Sequence, residues 1–148
     1  MYDKYIKESL KLAKKAYKNN DVPVGCVIVN IFDGEIVACG YNKKNKKQNA
    51  LYHAELVAID EACKLVGTWH LDDFMIITTL EPCMMCLGAI NEVRIPILVY
   101  GTEYKNCKKY NIKQMFKGQK IVNLKNEECS KLLSDFFEKM RKEQKNVL

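Results

Sequence analysis

The stretch FMIITTLEPCMMC, residues 74–86, changes from a strand pattern to a helix start within a few positions. Phe74 to Leu80 is a short run of apolar and β-branched residues, which is typical of a buried strand. Pro82 favours the first turn of a helix, which we expect to run to about Val93. In α/β sheets, ligands bind where a strand ends and the next helix begins. The junction therefore indicates an α/β fold and the position of a functional site.

Helices and strands alternate on both sides of this junction, after an opening hairpin. Apolar residues at helical spacing predict further helices over 3–18, 52–66 and 127–142. Short apolar runs predict strands over 22–30, 35–41, 95–100 and 120–124, with a tight turn at Asp33-Gly34 and a polar loop over 42–49. The helix over 52–66 is expected to face the core with Leu56, Ile59, Ala62 and Cys63. This order predicts a single α/β domain over residues 1–148, with a mixed central β-sheet flanked by helices.

Composition and charge limit the class of protein. The chain has 148 residues, 48% of them apolar, which suits one domain with a buried core. We expect a cytoplasmic protein with no membrane partner, because there is no apolar run of about 18 residues and no secretion signal. The formal net charge of +6 comes almost entirely from lysine. It permits a polyanionic partner without requiring one.

The seven cysteines agree with a reducing compartment, because their number is odd and most of them stand alone. We expect the isolated ones to be small buried apolar residues: Cys26, Cys39, Cys63, Cys107 and Cys129. Cys83 and Cys86 form the only close pair in the sequence. Their spacing indicates a role other than packing.

This pair is one half of a pattern that indicates a metal site. His53-Ala54-Glu55 lies 30 residues before Cys83. Cys83 and Cys86 would share one face of a first helical turn, where the helix dipole favours thiolates. With a neutral nitrogen from His53 they make three ligands, which leaves one position of a tetrahedral zinc open for water, as in catalytic sites. We therefore predict one zinc ion (Zn2+) per subunit, held by His53, Cys83 and Cys86.

Glu55 follows the predicted histidine ligand by two residues and need not bind metal itself. Zinc lowers the pKa of its water from about 15.7 to about 7. A carboxylate beside the metal can take a proton from that water and return it to a ring nitrogen and a leaving amine. The pattern therefore predicts hydrolytic removal of an amine from a nucleobase, with Glu55 as the catalytic residue.

Each part of the pattern, taken alone, is compatible with a different role. Cys-x-x-Cys at a helix start could be a redox pair. It could also be half of a structural zinc site, but that needs a second close pair, which the sequence lacks. His53 alone would be an ordinary polar residue, and Glu55 alone a solvated carboxylate. All four residues together, with Pro82, favour the deaminase site.

The chain resembles the tRNA adenosine deaminases of the cytidine deaminase-like superfamily over nearly its whole length. The resemblance is carried by Val22-Pro23-Val24-Gly25, Gly40-Tyr41-Asn42, His53-Ala54-Glu55, residues 79–86 (TLEPCMMC) and residues 132–137 (LLSDFF). It implies a three-layer cytidine deaminase-like fold and a homodimer. It also implies tRNA (its anticodon stem-loop) as partner, with the wobble adenosine at the first anticodon position converted to inosine. Asn42 would then hydrogen-bond the flipped base or its ribose, the alternative being a turn residue at a strand end.

Two segments depart from the family pattern. Residues 49–52 replace a lead into the histidine that usually contains proline and threonine. Residues 105–111 replace a loop of small residues with a stretch rich in lysine and tyrosine. Such side chains suit phosphate attraction and base stacking, or simply a solvated loop. No substrate-binding residue is therefore transferred to residues 105–111.

Two other functions remain open at this point. The zinc motif is shared with deaminases of free bases and nucleosides, such as guanine, cytosine or cytidine. A silent RNA-binding subunit is a third possibility, but it is disfavoured because Glu55 is intact. The basic cluster just before the motif favours a polyanionic substrate over a free base: Lys43, Lys44, Lys46 and Lys47.

Overall fold

A computed structural model describes residues 1–103 and 110–147 of the chain. Residues 104–109, which include Cys107 and most of the divergent stretch 105–111, lie outside the described residues. The helices are α1 Asp3–Lys18, α2 Lys44–Lys47, α3 Ala54–Val66, α4 Met84–Glu92, α5 Ile112–Met115 and α6 Glu127–Val147. The strands are β1 Gly25–Asn30, β2 Ile36–Tyr41, β3 Phe74–Leu80, β4 Ile97–Thr102 and β5 Lys120–Asn123. None of the described helices combines the length and apolar character needed to cross a bilayer.

The strands form one mixed sheet in the order β2-β1-β3-β4-β5. β1 pairs antiparallel with both β2 and β3, whereas β3, β4 and β5 run parallel. The opening hairpin turns at Gly34, whose φ of 75° suits glycine. The mixed sheet predicted from the order of elements is confirmed.

Helices cover both faces of this sheet, which gives the predicted three layers. On one face α1 buries Tyr5, Ile6 and Leu10 against a cluster that also contains Cys129 of α6. On the other face α3 and α4 pack together over the sheet, with small residues such as Ala58 and larger ones such as Ile90 in the core.

The buried face of α3 differs from the predicted one. Ile59 and Ala62 are buried as expected, but Leu56 and Cys63 are only half-buried. The other buried positions of this helix are Ala54, Glu55 and Ala58. The cause is Gly40 of β2, where an added Cβ would lie 2.4 Å from the carbonyl oxygen of Ala54. Because α3 lies so close to the sheet, its core face consists mainly of alanines and includes Glu55.

The isolated cysteines agree only partly with the prediction. Cys26 and Cys129 are buried and Cys63 is half-buried. Cys39 is exposed, so the expectation was wrong for this residue. It lies on the edge strand β2, whose face opposite α3 is only partly covered by α1. Alternation along the strand turns Cys39 to that open face.

Candidate active site

The first turns of α3 and α4 lie side by side at one end of the sheet, and each begins with a predicted zinc ligand. His53 precedes α3 in an extended conformation, with φ −77° and ψ 148°. Cys83 precedes α4 in the same way, with φ −71° and ψ 172°. Cys86 follows within the first turn of α4. The predicted helix starts at residues 52 and 82 are therefore two residues early, because these ligands occupy the capping positions.

The three predicted ligands come together. The Nδ1 atom of His53 lies 3.6 Å from the Sγ atom of Cys83 and 3.5 Å from that of Cys86. Zinc–sulfur bonds of about 2.3 Å and zinc–nitrogen bonds of about 2.0–2.1 Å at a tetrahedral angle would separate such ligand atoms by about 3.6 Å. The donor set and its spacing therefore fit a single zinc ion. Among the described residues, the cluster contains these three side chains and no fourth.

The two thiols do not have equal acidity. The hydrogen bond from Cys86 lowers the pKa of Cys83 to about 4, while the same interaction raises the pKa of Cys86. The hydrogen bond with Cys83 also raises the pKa of His53. The protonation of these three side chains is thus linked through Cys83. Metal binding displaces such protons, because thiolates and a neutral imidazole are the ligand forms.

Glu55 lies in the first turn of α3 and is 4% exposed. Its burial raises the pKa of the carboxyl to about 7. It lines the same cavity as His53 and Cys83 but does not belong to the three-donor cluster. A buried carboxyl beside a metal site, and outside its ligand set, is suited to proton transfer.

Asn42 follows β2 and is 9% exposed. Its Oδ1 atom accepts a hydrogen bond of 2.8 Å from the backbone N–H of Ala54, the first residue of α3. Asn42 therefore satisfies one of the free amides at the start of the helix that carries Glu55. It also lines the cavity. This capping contact differs from the turn role considered from the sequence, and the contact with a base stays a prediction.

The cavity at this end of the sheet has a volume of about 380 Å³. Besides the predicted residues, its walls include Val22, Val24, Lys44, Leu80, Tyr110 and Phe137. The hydroxyl of Tyr110 donates a hydrogen bond of 2.5 Å to the carbonyl oxygen of Pro82, so Tyr110 is attached to the turn before Cys83. The sequence pattern does not identify Tyr110 or Phe137 as wall residues. It places Phe137 on the core face of α6, and Tyr110 lies in a polar stretch without periodicity.

The predicted basic cluster flanks this cavity. Lys44, Lys46 and Lys47 lie on α2 and Lys44 lines the cavity wall, while Lys46 and Lys47 are exposed. Lys43 differs because it is half-buried, with its Nζ atom 4.7 Å from the centre of the Tyr41 ring. Within residues 1–103 and 110–147, none of these lysines forms an ion pair with a carboxylate.

Comparison with known proteins agrees with this geometry. Residues 1–102 match the family model of the cytidine and deoxycytidylate deaminase zinc-binding region. A tRNA-specific adenosine deaminase from Rickettsia bellii is 39% identical over 144 residues, which cover 92% of this chain and 99% of that protein. The similarity thus extends beyond the metal motif to nearly the full length of that protein.

Solved structures show the same likeness. A structure from studies of A-to-I editing by tRNA:A34 deaminases at the wobble position superposes with a TM-score of 0.80 and 27% identity, covering 88% of this chain and 99% of that one. A guanine deaminase from Bacillus subtilis is 36% identical with a TM-score of 0.66, covering 72% of this chain and 67% of that one. Both the predicted fold and the predicted type of metal site are therefore found in related proteins.

Proposed function

The chain belongs to the cytidine and deoxycytidylate deaminase zinc-binding family, and we propose that it is a tRNA adenosine deaminase that converts the wobble adenosine of an anticodon to inosine. The observation that carries this proposal is the position of buried Glu55, in one cavity with His53 and Cys83. A ligand set with an adjacent proton carrier is what hydrolytic deamination requires. The relatives named above support the choice of adenosine in tRNA.

His53, Cys83 and Cys86 would hold the zinc ion. Their nitrogen–sulfur separations of 3.5 and 3.6 Å match a tetrahedral set of bonds. When bound, zinc supplies Lewis-acid chemistry that makes water a nucleophile near neutral pH. The remaining work falls to the protein, which must hold the base, exclude bulk water and move protons.

Glu55 is the residue that moves the protons in this proposal. Overall, water adds at C6 of adenine and ammonia leaves, so adenosine and water give inosine and ammonia. The Glu55 carboxylate takes up a proton from the attacking water. It passes this proton to the ring nitrogen next to C6, then takes the proton of the new C6 hydroxyl and passes it to the departing amine, which leaves as ammonia. Its burial in the cavity wall keeps the carboxyl oriented and away from bulk solvent.

The walls of the cavity suit a flipped base. Leu80 and Phe137 provide apolar surface, and Asn42, which follows β2, provides a side-chain amide. In an anticodon loop the bases are unpaired, so little unstacking energy is needed to bring one into such a cavity. Lys44 stands at the wall and would meet the phosphate backbone on either side of the flipped nucleotide.

A mass-spectrometric assay tests this function directly. The protein is incubated with an anticodon stem-loop that has adenosine at the first anticodon position. We expect replacement of the amine by a carbonyl at that nucleotide only. The matched control RNA has the adenosine moved to the second anticodon position and should remain unchanged. Conversion of neither RNA by zinc-loaded protein would contradict the proposal.

A free-base deaminase is the second candidate, because a guanine deaminase of solved structure is 36% identical to the chain. The same assay therefore includes free guanine, cytosine, cytidine and adenosine. Turnover of guanine without turnover of the stem-loop would establish this second function.

We further propose a homodimer. Four exposed apolar side chains lie next to the zinc ligands in sequence: Leu51 and Tyr52 before His53, and Met84 and Met85 between the two cysteines. Met84 is 54% exposed, and exposed apolar side chains that group together are typical of interaction surfaces.

Sedimentation velocity tests the dimer. Met84→Glu should shift the protein to monomer by burying a charge in the interface. Phe32→Glu replaces another exposed apolar side chain, in the distant turn of the first hairpin, and should leave the association unchanged. A monomeric wild-type protein would contradict the proposal.

A single domain over residues 1–148 and a cytoplasmic location also stay predictions of the sequence.

A further inference from the structure

Asp21 is a buried carboxylate that the proposed mechanism does not use. It follows α1 and is 2% exposed. Its Oδ1 atom accepts a hydrogen bond of 2.8 Å from the backbone N–H of Asn45, and its Oδ2 atom accepts one of 3.3 Å from the backbone N–H of Lys46. Both oxygens are thus engaged by the first turn of α2, a segment more than twenty positions further along the chain.

α2 needs a cap of this kind because it cannot provide one itself. The residue at its capping position is Lys43, whose side chain makes no capping hydrogen bond, and its first turn contains no acidic residue. Capping side chains normally bind the second and third amides of a helix, which here are those of Asn45 and Lys46. Asp21 fills this role from another segment, and its negative charge also complements the helix dipole.

A second contact attaches α2 at the same place. The Nδ2 atom of Asn45 donates a hydrogen bond of 3.0 Å to the carbonyl oxygen of Asn20. A helix of four residues is not stable without tertiary contacts, since helix nucleation is unfavourable. The orientation of α2 therefore depends on residues 20–21.

α2 is also the segment that carries three lysines of the basic cluster. Lys44 lines the cavity, and Lys46 and Lys47 stand beside it in solvent. Whatever fixes α2 also fixes these three charges relative to the cavity that contains Glu55.

We propose that Asp21 is a positioning residue for the RNA substrate: it caps α2 and thereby holds Lys44, Lys46 and Lys47 where they meet the phosphates flanking the target nucleotide. This inference rests on the proposed function of a tRNA deaminase. Asp21 itself contacts no substrate in this arrangement and acts through α2.

The sign of the effect separates this role from simple electrostatics. Removing a carboxylate next to a cluster of lysines makes the surface more positive, which by itself strengthens RNA binding. Loss of the cap has the opposite effect, because a disordered α2 must be ordered again when the phosphates bind. If the RNA complex becomes weaker when the negative charge of Asp21 is removed, the role of Asp21 is therefore to position α2.

The experiment compares Asp21→Asn with Asp33→Asn. Both changes remove one negative charge. Asp33 lies in the distant hairpin turn and accepts a hydrogen bond of 2.9 Å from the N–H of Glu35, a contact that asparagine can keep. In Asp21→Asn one oxygen becomes an NH2 group, so at least one amide of α2 loses its acceptor.

Binding is measured with the anticodon stem-loop at several salt concentrations. We expect Asp21→Asn to weaken binding by about five- to tenfold relative to Asp33→Asn, since about 1 kcal/mol for a lost cap corresponds to about fivefold. The slope of log affinity against log salt should become shallower and KM should rise. The kcat value should stay close to wild type, because Glu55 and the zinc ligands are untouched. Hydrogen exchange at the amides of Asn45 and Lys46 should accelerate.

Three results would overturn the inference. If Asp21→Asn binds the stem-loop as tightly as Asp33→Asn, or more tightly, while the wild type shows a steep salt dependence, the positioning role is wrong and the proposed function stands. If kcat falls with KM unchanged, Asp21 does not act through binding. If the wild type itself binds RNA without salt dependence, both the inference and the proposed function fail.

A second variant covers the case in which Asp21→Asn does not fold. Asn45→Ala removes the contact with Asn20 at an exposed residue and leaves the net charge unchanged. Weaker stem-loop binding by this variant, with kcat retained, supports the inference. Unaltered binding would count against it.

Discussion

His53 and Glu55 are two positions apart, yet backbone geometry gives them different chemistry. His53 is extended and lies outside the helix, and its Nδ1 atom is within 3.6 Å of both thiols. Glu55 is inside the first helical turn and is buried against the sheet because α3 lies so close to Gly40. Metal binding is thus assigned to His53 at the capping position of α3, and proton transfer to Glu55 in the first turn of the same helix.

The ligand set is tested by zinc content. Cys83→Ala and Cys86→Ala each leave two of three donors, and we expect zinc per chain to fall to near zero, with activity lost in parallel. Cys63→Ala is the matched control, because it removes a half-buried thiol of α3 outside the cluster. Metal analysis after dialysis measures the content. Full zinc retention in both cluster variants would rule out the site.

Glu55→Gln separates proton transfer from architecture. The amide keeps the shape of the side chain but cannot carry protons, so we expect kcat to fall by about 10²–10⁴-fold. Zinc content and the midpoint of thermal unfolding should stay near the wild-type values. Single-turnover kinetics on the stem-loop give the rate. A rate within about tenfold of wild type would show that another group moves the protons.

At the scale of elements, the residue pattern is sufficient to predict most of the helices and strands. β3 has its predicted bounds, Phe74–Leu80, because a β-branched buried run ends at a proline-marked turn. α1 likewise has its predicted range, since its apolar residues keep a helical spacing between lysines. The metal cluster is predictable because each ligand stands at a helix start, where sequence signals are strongest.

Helix α2, which the sequence pattern does not reveal, depends on tertiary contacts. The lysine-rich segment 42–49 is not the continuous loop that its polarity predicts, because it contains α2, whose cap comes from Asp21. A local pattern cannot reveal a cap supplied from a distant segment. The same limit applies to α3, where the choice of alanines over Leu56 for the core follows from the close approach at Gly40. The cavity residue Tyr110 gives no signal because it follows no periodic pattern.

Asn42 connects two elements, and two substitutions distinguish its possible roles. Asn42→Ala removes the acceptor for the N–H of Ala54 and should lower the free energy of unfolding by about 1 kcal/mol. Asn42→Asp keeps an acceptor at the helix start, where negative charge is favourable, and should retain stability. It cannot donate a hydrogen bond to a base.

Denaturant unfolding and KM for the stem-loop give the two readouts. If Asn42 also binds the substrate, Asn42→Asp should be stable yet show a raised KM. A wild-type KM in Asn42→Asp would leave Asn42 with the capping role alone.

At the scale of the molecule, a group of lysines on α2 lies beside the cavity. The sequence points to four lysines before the zinc motif, and the structure distinguishes among them. Lys43 lies against the ring of Tyr41, whereas Lys46 and Lys47 are exposed on α2 without a carboxylate partner in the described part of the chain. Lys46 and Lys47, like Lys44 on the same helix, are therefore better candidates for phosphate contacts than Lys43.

Replacing Lys46 and Lys47 together with alanine tests whether this surface binds RNA. Each lysine that neutralises a phosphate releases condensed counterions, so its loss should reduce the slope of log affinity against log salt by about 0.7–0.9 per contact. Stem-loop affinity should fall most at low salt, and kcat at saturating RNA should stay near wild type because the residues of the cavity are unchanged. The matched control is Lys7→Ala with Lys117→Ala, two exposed lysines near the other end of the sheet. Lys7 lies on α1, which contacts the first hairpin through Tyr5, and Lys117 precedes β5, where its backbone N–H donates a hydrogen bond to Asn91 near the end of α4. Both double variants lose two positive charges, so a general effect of net charge would weaken binding equally in the two. A reduced slope confined to the Lys46 and Lys47 variant would locate the phosphate contacts on α2, whereas equal slopes in both variants would show that the bound RNA lies elsewhere.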